Sequence, residues 1–256
     1  MEQLSKNEIH LWFVFPDEIQ DTTLLSEYQQ VLSPEEKQQW QRFHFEKHRH
    51  LYLVARALVR AILSRYTAIP PKLLEFSKNK YGKPELMVPD STISLCFNLS
   101  HTEGLIILGV TLNQKIGVDV EDTERKNISA LELKKFFSSQ EFDDLQNLSG
   151  KEQGIRFFDY WTLKESYIKA CGMGLSLPLD QFSFHISGKG SLQISFAPAL
   201  HDDPRRWQFW LLAPTVQHRA ALSLQSDPGT EYKLLIRKAT PLNSEQPFSC
   251  PILNTS

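Results

Sequence analysis

The amino-acid sequence predicts an α+β protein made of two similar halves. A set of strand-like segments together with one long helical segment occurs twice, on either side of residue 114. The 256 residues suffice for one large or two small domains with a substantial core. A content of 41% hydrophobic and 23% charged residues is ordinary for a globular chain and argues against a disordered or fibrous one. We therefore expect an N-terminal half at 1–114, a C-terminal half at 115–240 and a flexible tail at 241–256.

The N-terminal half is predicted to begin with a strand and continue into helices. Residues 9–15, "IHLWFVF", are rich in β-branched and aromatic side chains, which favours a buried strand. Ser33 followed by Pro34 is typical of a helix start. Residues 46–66 keep one face apolar at helical spacing, and Pro70 and Pro71 prevent that helix from continuing.

The C-terminal half is predicted to alternate in the same way. A turn-rich loop, "SKNKYGKPEL", and a strand-like stretch, "CFNLSHTEGLIILGVTL", complete the N-terminal half, and a second strand-like stretch, "KIGVDVED", opens the C-terminal half. Helices are expected to open near Ser129 and near Ser138, where a capping box is plausible, and a longer one is expected from Gly154 to Cys171. The remaining strand-like segments are "FSFHI", "LQISFA", "WQFWLLA", "AALSLQ" and "YKLLIRK".

Charge and cysteine content exclude several classes of protein. The chain has 28 Lys and Arg against 30 Asp and Glu, without a long basic run, which disfavours a nucleic-acid partner. No segment approaches the roughly 20 apolar residues of a membrane span, and the first residues do not have the pattern of a signal peptide. The three cysteines are far apart and form no CxxC pair, which fits a reducing compartment. We expect a cytoplasmic protein without a membrane partner.

Two acids share one face of the predicted strand "IGVDVED". Because side chains alternate along a strand, Asp119 and Glu121 point the same way, opposite to Val118 and Val120. Carboxylate oxygens suit Mg²⁺, which takes one or two protein acids together with substrate phosphates. The alternative is a half-exposed strand with a solvated acidic face.

An acid and a base lie one turn apart in "WTLKESYIK". Glu165 and Lys169 are at i and i+4, a spacing that also forms simple surface ion pairs. Phe157, Phe158 and Trp161 make this helix strongly apolar, so a charged pair here must be paired, bound to a metal or lining a cleft. Structural and functional interpretations both stay open for this pair.

Further polar candidates precede the acids. Ser100 and His101 follow a strand, where an imidazole can contact a phosphate, although a lone histidine is more often structural. Lys83 lies in "YGKP" and by itself is an ordinary turn lysine.

The order of these motifs is more specific than any one of them. A G-K-P loop, then S-H, then "GVDVE", then "WTLKESYIK" and "GMGLSLPLDQFSF" resembles the 4′-phosphopantetheinyl transferases of the longer, monomeric, surfactin-synthetase-activating type. The resemblance covers roughly residues 30–225 and implies two pseudo-two-fold-related halves, each a mainly antiparallel sheet on a long helix, with the active site in the cleft between them. It also implies transfer of 4′-phosphopantetheine from coenzyme A to a serine of an apo acyl or peptidyl carrier protein, with release of 3′,5′-ADP.

The resemblance also implies roles for individual residues. Asp119, Glu121 and Glu165 would bind Mg²⁺, with Glu165 also taking the serine proton and Lys169 neutralising phosphate charge. Glu141 is a lower-ranked alternative base. The residues implied as coenzyme A contacts are Lys83, Ser100, His101, Thr123, Arg49 and Arg56, the last two competing with Lys37 and Arg42.

Carrier recognition and rival functions complete the expectations. In "ERKNISALELKKFFSS" we expect Leu133 or Phe137 to contact the carrier, with Lys134 and Lys135 steering it. A Mg²⁺-dependent nuclease or phosphodiesterase is the rival enzyme, but the strand lacks the E-x-K pattern such sites commonly use. A non-catalytic carrier-binding module is the rival binding protein, and the intact acids weigh against it. The natural carrier, from lipid or secondary-metabolite biosynthesis, is not specified.

Overall fold

The chain forms helices and strands in a mixed α+β arrangement, as the sequence predicts. The structure is a computed structural model that describes residues 2–88, 94–124, 136–188 and 190–256. The α-helices within these residues are α1 (Thr22–Val31), α2 (Pro34–Gln41), α3 (Glu46–Thr67), α4 (Ser139–Gln146) and α5 (Gly150–Cys171). The strands within them are β1 (Glu8–Val14), β2 (Glu75–Lys78), β3 (Pro84–Met87), β4 (Leu95–Thr102), β5 (Leu105–Leu112), β6 (Ile116–Asp122), β7 (Phe182–Ser187), β8 (Gly190–Phe196), β9 (Trp207–Leu212), β10 (His218–Gln225), β11 (Lys233–Thr240), β12 (Ser244–Pro247) and β13 (Ile252–Thr255).

Two compact units share the chain. The first unit consists of Met1–Lys78, Pro84–Asn113 and Tyr232–Ser249, and the second of Asn79–Lys83, Gln114–Glu231 and Cys250–Ser256. Among the described residues, no helix is both long enough and apolar enough to cross a lipid bilayer.

The first unit is built around a five-stranded sheet in the order β12-β11-β1-β5-β4. Strand β1 is central, pairing parallel with β11 and antiparallel with β5. Its Trp12 and Val14 belong to one buried apolar cluster with Leu58 and Ile62 of helix α3. The predicted strand at 9–15 and helix at 46–66 are therefore both confirmed.

The second unit contains a six-stranded sheet in the order β6-β10-β9-β13-β8-β7. Tyr167 of α5 packs among Phe182, Trp207 and Phe209 of the sheet, with ring centroids 4.8 to 6.4 Å from its own. Helix α4 begins with the expected capping box, in which the Glu141 N–H donates to Ser138 Oγ at 3.3 Å. The helix expected near Ser129 lies outside the described residues.

Residues 241–256 do not form the expected flexible tail, so this expectation was wrong. Residues 244–247 form β12, which pairs with β11, and residues 252–255 form β13, which lies between β9 and β8. Strand β11, expected in the C-terminal half, pairs with β1 in the first unit. Strands β12 and β13 have only four residues each, so their strand structure comes from backbone pairing with longer strands, which local sequence does not reveal.

Gly117 permits the closest contact between β6 and α5. A Cβ atom built on Gly117 would lie 1.9 Å from the Ser166 carbonyl oxygen and 2.4 Å from the Ala170 amide nitrogen. Both atoms are backbone, so no side chain can move aside to make room. The small residues at 117, 166 and 170 thus let the strand lie directly on the helix.

We expect Gly117→Ala to destabilise the protein by about 1–3 kcal/mol or more, because the strand and helix must separate to admit the methyl group. Gly154→Ala is the matched control, since a Cβ there meets no atom within 4 Å. That change should raise the free energy of unfolding by about 0.5–1 kcal/mol, because alanine is the better residue inside a helix. Denaturant unfolding of both variants measures the two effects, and equal midpoints would contradict the close contact.

Candidate active site

Strand β6 presents its two acids to helix α5. Asp119 pairs across the sheet with Ala221, and Glu121 with Arg219, so these four side chains share one face. Gly117 is on the same face and touches α5, which identifies this face as the one the helix covers. Asp119 is buried at 4% exposure and Glu121 is half-buried.

Lys169 forms an ion pair with Asp119. The Lys169 Nζ lies 2.6 Å from Asp119 Oδ1. The Asp119 side chain is only 6% exposed, whereas that of Lys169 is 28% exposed. The predicted strand acid and the predicted helix base are therefore brought into direct contact.

Trp161 orients the second strand acid. Its Nε1–H donates to Glu121 Oε1 at 3.1 Å. The indole is held parallel to the Phe157 ring at a centroid distance of 6.2 Å and edge-on to Phe136 at 5.3 Å. Sequence reasoning treated Trp161 as apolar surroundings and missed this hydrogen bond.

Glu165 is close enough to both strand acids for their charges to affect it. Burial is the largest cause that raises the pKa of Glu165 to about 7, followed by the charge of Asp119, with Lys169 opposing and Glu121 adding to the rise. Burial and the two strand acids thus together disfavour the ionised form of Glu165.

The donor chemistry of this site fits a hard divalent cation. All three candidate ligands offer carboxylate oxygens, and a cation would relieve the repulsion that raises the pKa of Glu165. As placed, the acids are held by Lys169 and Trp161, and no three His, Cys, Asp or Glu side chains of the described chain are grouped tightly enough to hold a metal ion. Binding would therefore require these side chains to rearrange.

Asp159 and Arg219 lie beside Glu121 and were also missed. Arg219, the cross-strand neighbour of Glu121, donates from Nε to Asp159 Oδ1 at 3.0 Å. Burial raises the pKa of Asp159 to about 6, against the opposing charges of Arg219 and Arg156. Their positions, on separate elements, carried no local sequence signal.

Glu141 is buried and holds neighbouring elements together. It is 1% exposed and forms a buried ion pair with Lys164 at 2.8 Å. Its carboxylate also accepts the N–H groups of Ser138 and Phe184, both at 2.9 Å. Burial lowers the pKa of Lys164, and the charge of Glu141 opposes that shift. These bonds connect α4, α5 and β7, which supports the lower rank given to Glu141 as a base.

Lys83 is bound to backbone carbonyls. Its Nζ lies 2.6 Å from the Lys169 oxygen, 3.0 Å from that of Ile116 and 3.3 Å from that of Ala170. Two of these carbonyls belong to the last turn of α5, which leaves such groups without helical partners. The lysine therefore has a helix-capping role that the sequence did not predict, and a phosphate contact would require it to leave these carbonyls.

The other expected coenzyme A contacts lie on β4, on α3 and just after β6. Ser100 is buried on β4 and His101, the next residue, is exposed. The N–H and Oγ1 of Thr123 both donate to the Gln217 carbonyl. On α3, Arg49 donates to the Phe43 carbonyl and Arg56 pairs with Glu36 at 3.0 Å.

The expected carrier-docking residues are mostly outside the described chain. Leu133, Lys134 and Lys135 fall in the segment 125–135, of which nothing is described. Phe137 is described and is 3% exposed, packed against Phe157. Of the two alternatives, Leu133 or Phe137, the second was wrong, because the Phe137 ring fills the core beside α5.

A strand acid pair facing a helix that supplies one more acid and a lysine is suited to stabilising phosphoryl-transfer charge. Comparisons with known protein families also indicate an enzyme of phosphoryl transfer. Residues 115–224 match the 4′-phosphopantetheinyl transferase superfamily, and residues 21–112 match the 4′-phosphopantetheinyl transferase N-terminal family. The chain belongs to this transferase family, as the motif order predicted.

Individual relatives support the assignment. The 4′-phosphopantetheinyl transferase HetI of Nostoc sp. (strain PCC 7120) is 31% identical over 77% of this chain and 81% of its own length. The 4′-phosphopantetheinyl transferase Sfp of Bacillus subtilis (strain 168) is 37% identical over 65% of this chain and 72% of its own length. The L-aminoadipate-semialdehyde dehydrogenase-phosphopantetheinyl transferase of Xenopus laevis is 27% identical over 75% of this chain and 68% of its own length. The protein is accordingly an enzyme of the phosphopantetheinyl transferase class.

The raised pKa of Glu165 makes stability depend on pH in the metal-free protein. Because the folded state binds this proton more tightly than the unfolded state, stability should fall as the pH rises from about 4.5 towards about 7. Glu165→Gln, a neutral mimic, should lack this loss, so the wild type should become less stable than the variant by about 2–3 kcal/mol. Denaturant unfolding with a chelator present measures the difference. Glu124→Gln, at an exposed acid, controls for loss of one charge. A pH-independent difference between wild type and Glu165→Gln would contradict the shift.

Proposed function

We propose that the enzyme transfers the 4′-phosphopantetheine group of coenzyme A to a serine hydroxyl of an apo acyl or peptidyl carrier protein and releases 3′,5′-ADP. The observation that carries this proposal is the convergence of Asp119, Glu121, Glu165 and Lys169 on the facing surfaces of β6 and α5. All four lie within the segment that matches the transferase superfamily.

Asp119, Glu121 and Glu165 would hold Mg²⁺, which when bound would neutralise charge on the diphosphate of coenzyme A. The oxygen donors and the mutual repulsion of the three acids support this assignment. Gly117 and Trp161 serve the same site, because one brings β6 close to α5 and the other orients Glu121.

Glu165 is the proposed general base. Its carboxylate is carried by α5 close enough to both strand acids to be affected by their charges, so it lies next to the metal site proposed here. It would take the proton from the carrier serine, directly or through a water. The serine oxygen then forms a bond to the phosphorus that carries the pantetheine arm, and the bond from this phosphorus to the bridging oxygen of 3′,5′-ADP breaks. Lys169 would stabilise the negative charge on that phosphate and on the leaving group.

The proposed coenzyme A contacts differ in the support they have. His101 is exposed on β4 and its side chain can reach a ligand from solvent. Ser100 and Thr123 remain weaker candidates, and Lys83 would first have to leave its three carbonyls. Arg49 and Arg56 remain proposed contacts of the 3′-phosphate, although each already has an acidic neighbour, Glu46 and Glu36.

We also propose that the enzyme acts as a monomer in the cytoplasm and has no nucleic-acid or membrane partner. The near-neutral charge of −2 supports the absence of a nucleic-acid partner. The three cysteines are free thiols, which is consistent with a reducing compartment. The carrier would belong to lipid or secondary-metabolite biosynthesis.

The transfer is tested by incubating the protein with an apo carrier protein, coenzyme A and Mg²⁺, and measuring the carrier by mass spectrometry. We expect a mass gain of one phosphopantetheine group. Asp119→Asn should reduce the rate by at least about 100-fold, because it removes a negatively charged ligand of the proposed Mg²⁺, which would stabilise the charge on the reacting phosphates. Asp122→Asn is the matched control, since Asp122 lies on the opposite face of β6 and accepts a hydrogen bond from the nearby Glu124 N–H.

The same assay separates the rival functions. A nuclease or phosphodiesterase would cleave nucleic acid or a phosphodiester and leave the carrier unchanged, and a binding module would retain the carrier without modifying it. Near-normal transfer by Asp119→Asn would contradict the proposed metal ligands.

His101→Ala should mainly raise the KM for coenzyme A. A phosphate contact present in both ground and transition states contributes uniform binding, and losing it costs about 1.5–3 kcal/mol, or at least about tenfold in KM. Steady-state kinetics with varied coenzyme A measures this effect. His201→Ala, at an exposed histidine of the second unit, is the control. A large fall in kcat with unchanged KM would instead make His101 a participant in proton transfer.

A further inference from the structure

The ammonium of Lys169 is bound to the carboxylate of Asp119, which the proposed function assigns as a metal ligand. Its Nζ is 2.6 Å from Asp119 Oδ1, a strong charge-assisted hydrogen bond. Asp119 is held by β6 and buried against α5, whereas Lys169 retains the greater exposure of the pair. The carboxylate is therefore the fixed partner and the lysine is the partner that can move.

A divalent cation and this ammonium cannot share Asp119 without cost. Two positive charges a few ångströms apart in a partly buried site repel each other, because little water lies between them to screen the interaction.

We infer that Lys169 is an internal counter-cation, which neutralises Asp119 in the metal-free enzyme and must leave it for a divalent cation to bind. This inference rests on the metal ligands of the proposed function. Lys169 follows Glu165 by one helical turn, so after release its ammonium stays within the site, where a phosphate of the substrate can accept its hydrogen bonds. Lys169 then exchanges the Asp119 carboxylate for a substrate phosphate when the enzyme binds the divalent cation and its substrate.

A binding measurement tests the competition. Titration calorimetry with MgCl₂ in the absence of coenzyme A compares wild type, Lys169→Met, Lys115→Met and Asp119→Asn. Lys169→Met should bind Mg²⁺ about fivefold more tightly than wild type, which corresponds to about 1 kcal/mol for a partly exposed ion pair. Lys115→Met removes the same charge at an exposed position just before β6 and should change the affinity less than twofold.

The outcomes distinguish this inference from the proposed function. If Asp119→Asn loses Mg²⁺ binding while Lys169→Met binds no more tightly than wild type, the competition is overturned and the metal ligands stand. If Asp119→Asn binds Mg²⁺ as well as wild type does, the metal assignment fails, and the inference fails with it. Lys169→Gln replaces Lys169→Met if thermal unfolding shows that the methionine variant is not folded.

A second measurement follows the lysine itself in the wild-type protein. Labelling with an amine-reactive reagent and peptide mass spectrometry report the reaction rate of each lysine with and without Mg²⁺. The rate at Lys169 should rise at least about threefold with Mg²⁺, because displacement ends the charge-assisted hydrogen bond that restrains its ammonium. Lys115, which is exposed, and Lys83, which is held by carbonyls, are internal controls whose rates should not change. An unchanged rate at Lys169 under saturating Mg²⁺ would overturn the displacement.

Discussion

The contact between strand β6 and helix α5 determines where the acids of the proposed active site lie. Gly117 has no side chain, so the strand backbone reaches the backbone of Ser166 and Ala170. At that separation Lys169 touches Asp119, and Trp161 reaches Glu121. If β6 and α5 were farther apart, the two acids of the strand and the two charged residues of the helix would be solvated separately and would not interact. The chemistry proposed for this site thus depends on a packing constraint as much as on charged residues.

Periodicity and capping residues predicted much of the fold. The long helix at Glu46–Thr67 is amphipathic, and the box formed by Ser138 and Glu141 starts α4 where expected. Strand alternation was sufficient to place Asp119 and Glu121 on one face. These successes share a physical cause, because each signal is contained within a few neighbouring residues and needs no knowledge of the rest of the chain.

Interactions between distant segments could not be predicted in this way. The Trp161 indole gave no local sign that it would donate to a residue 40 positions earlier, and Lys83 gave none that it would bind the carbonyls of α5. Glu141 is an ordinary helix-start acid by sequence, yet it forms a fully buried pair with Lys164. The assignment of strands to sheets failed for a related reason, because β11 and β13 are specified by the partners they find.

The interleaving of the two units constrains how the protein is made. Strand β13, at residues 252–255, lies inside the second sheet, and β11 and β12, at residues 233–247, complete one side of the first. A ribosome synthesising this chain therefore finishes neither sheet until nearly the last of these residues has emerged. The helix and strand that carry the acids leave the ribosome much earlier, and they must wait beside an open sheet edge, which is an aggregation hazard during synthesis.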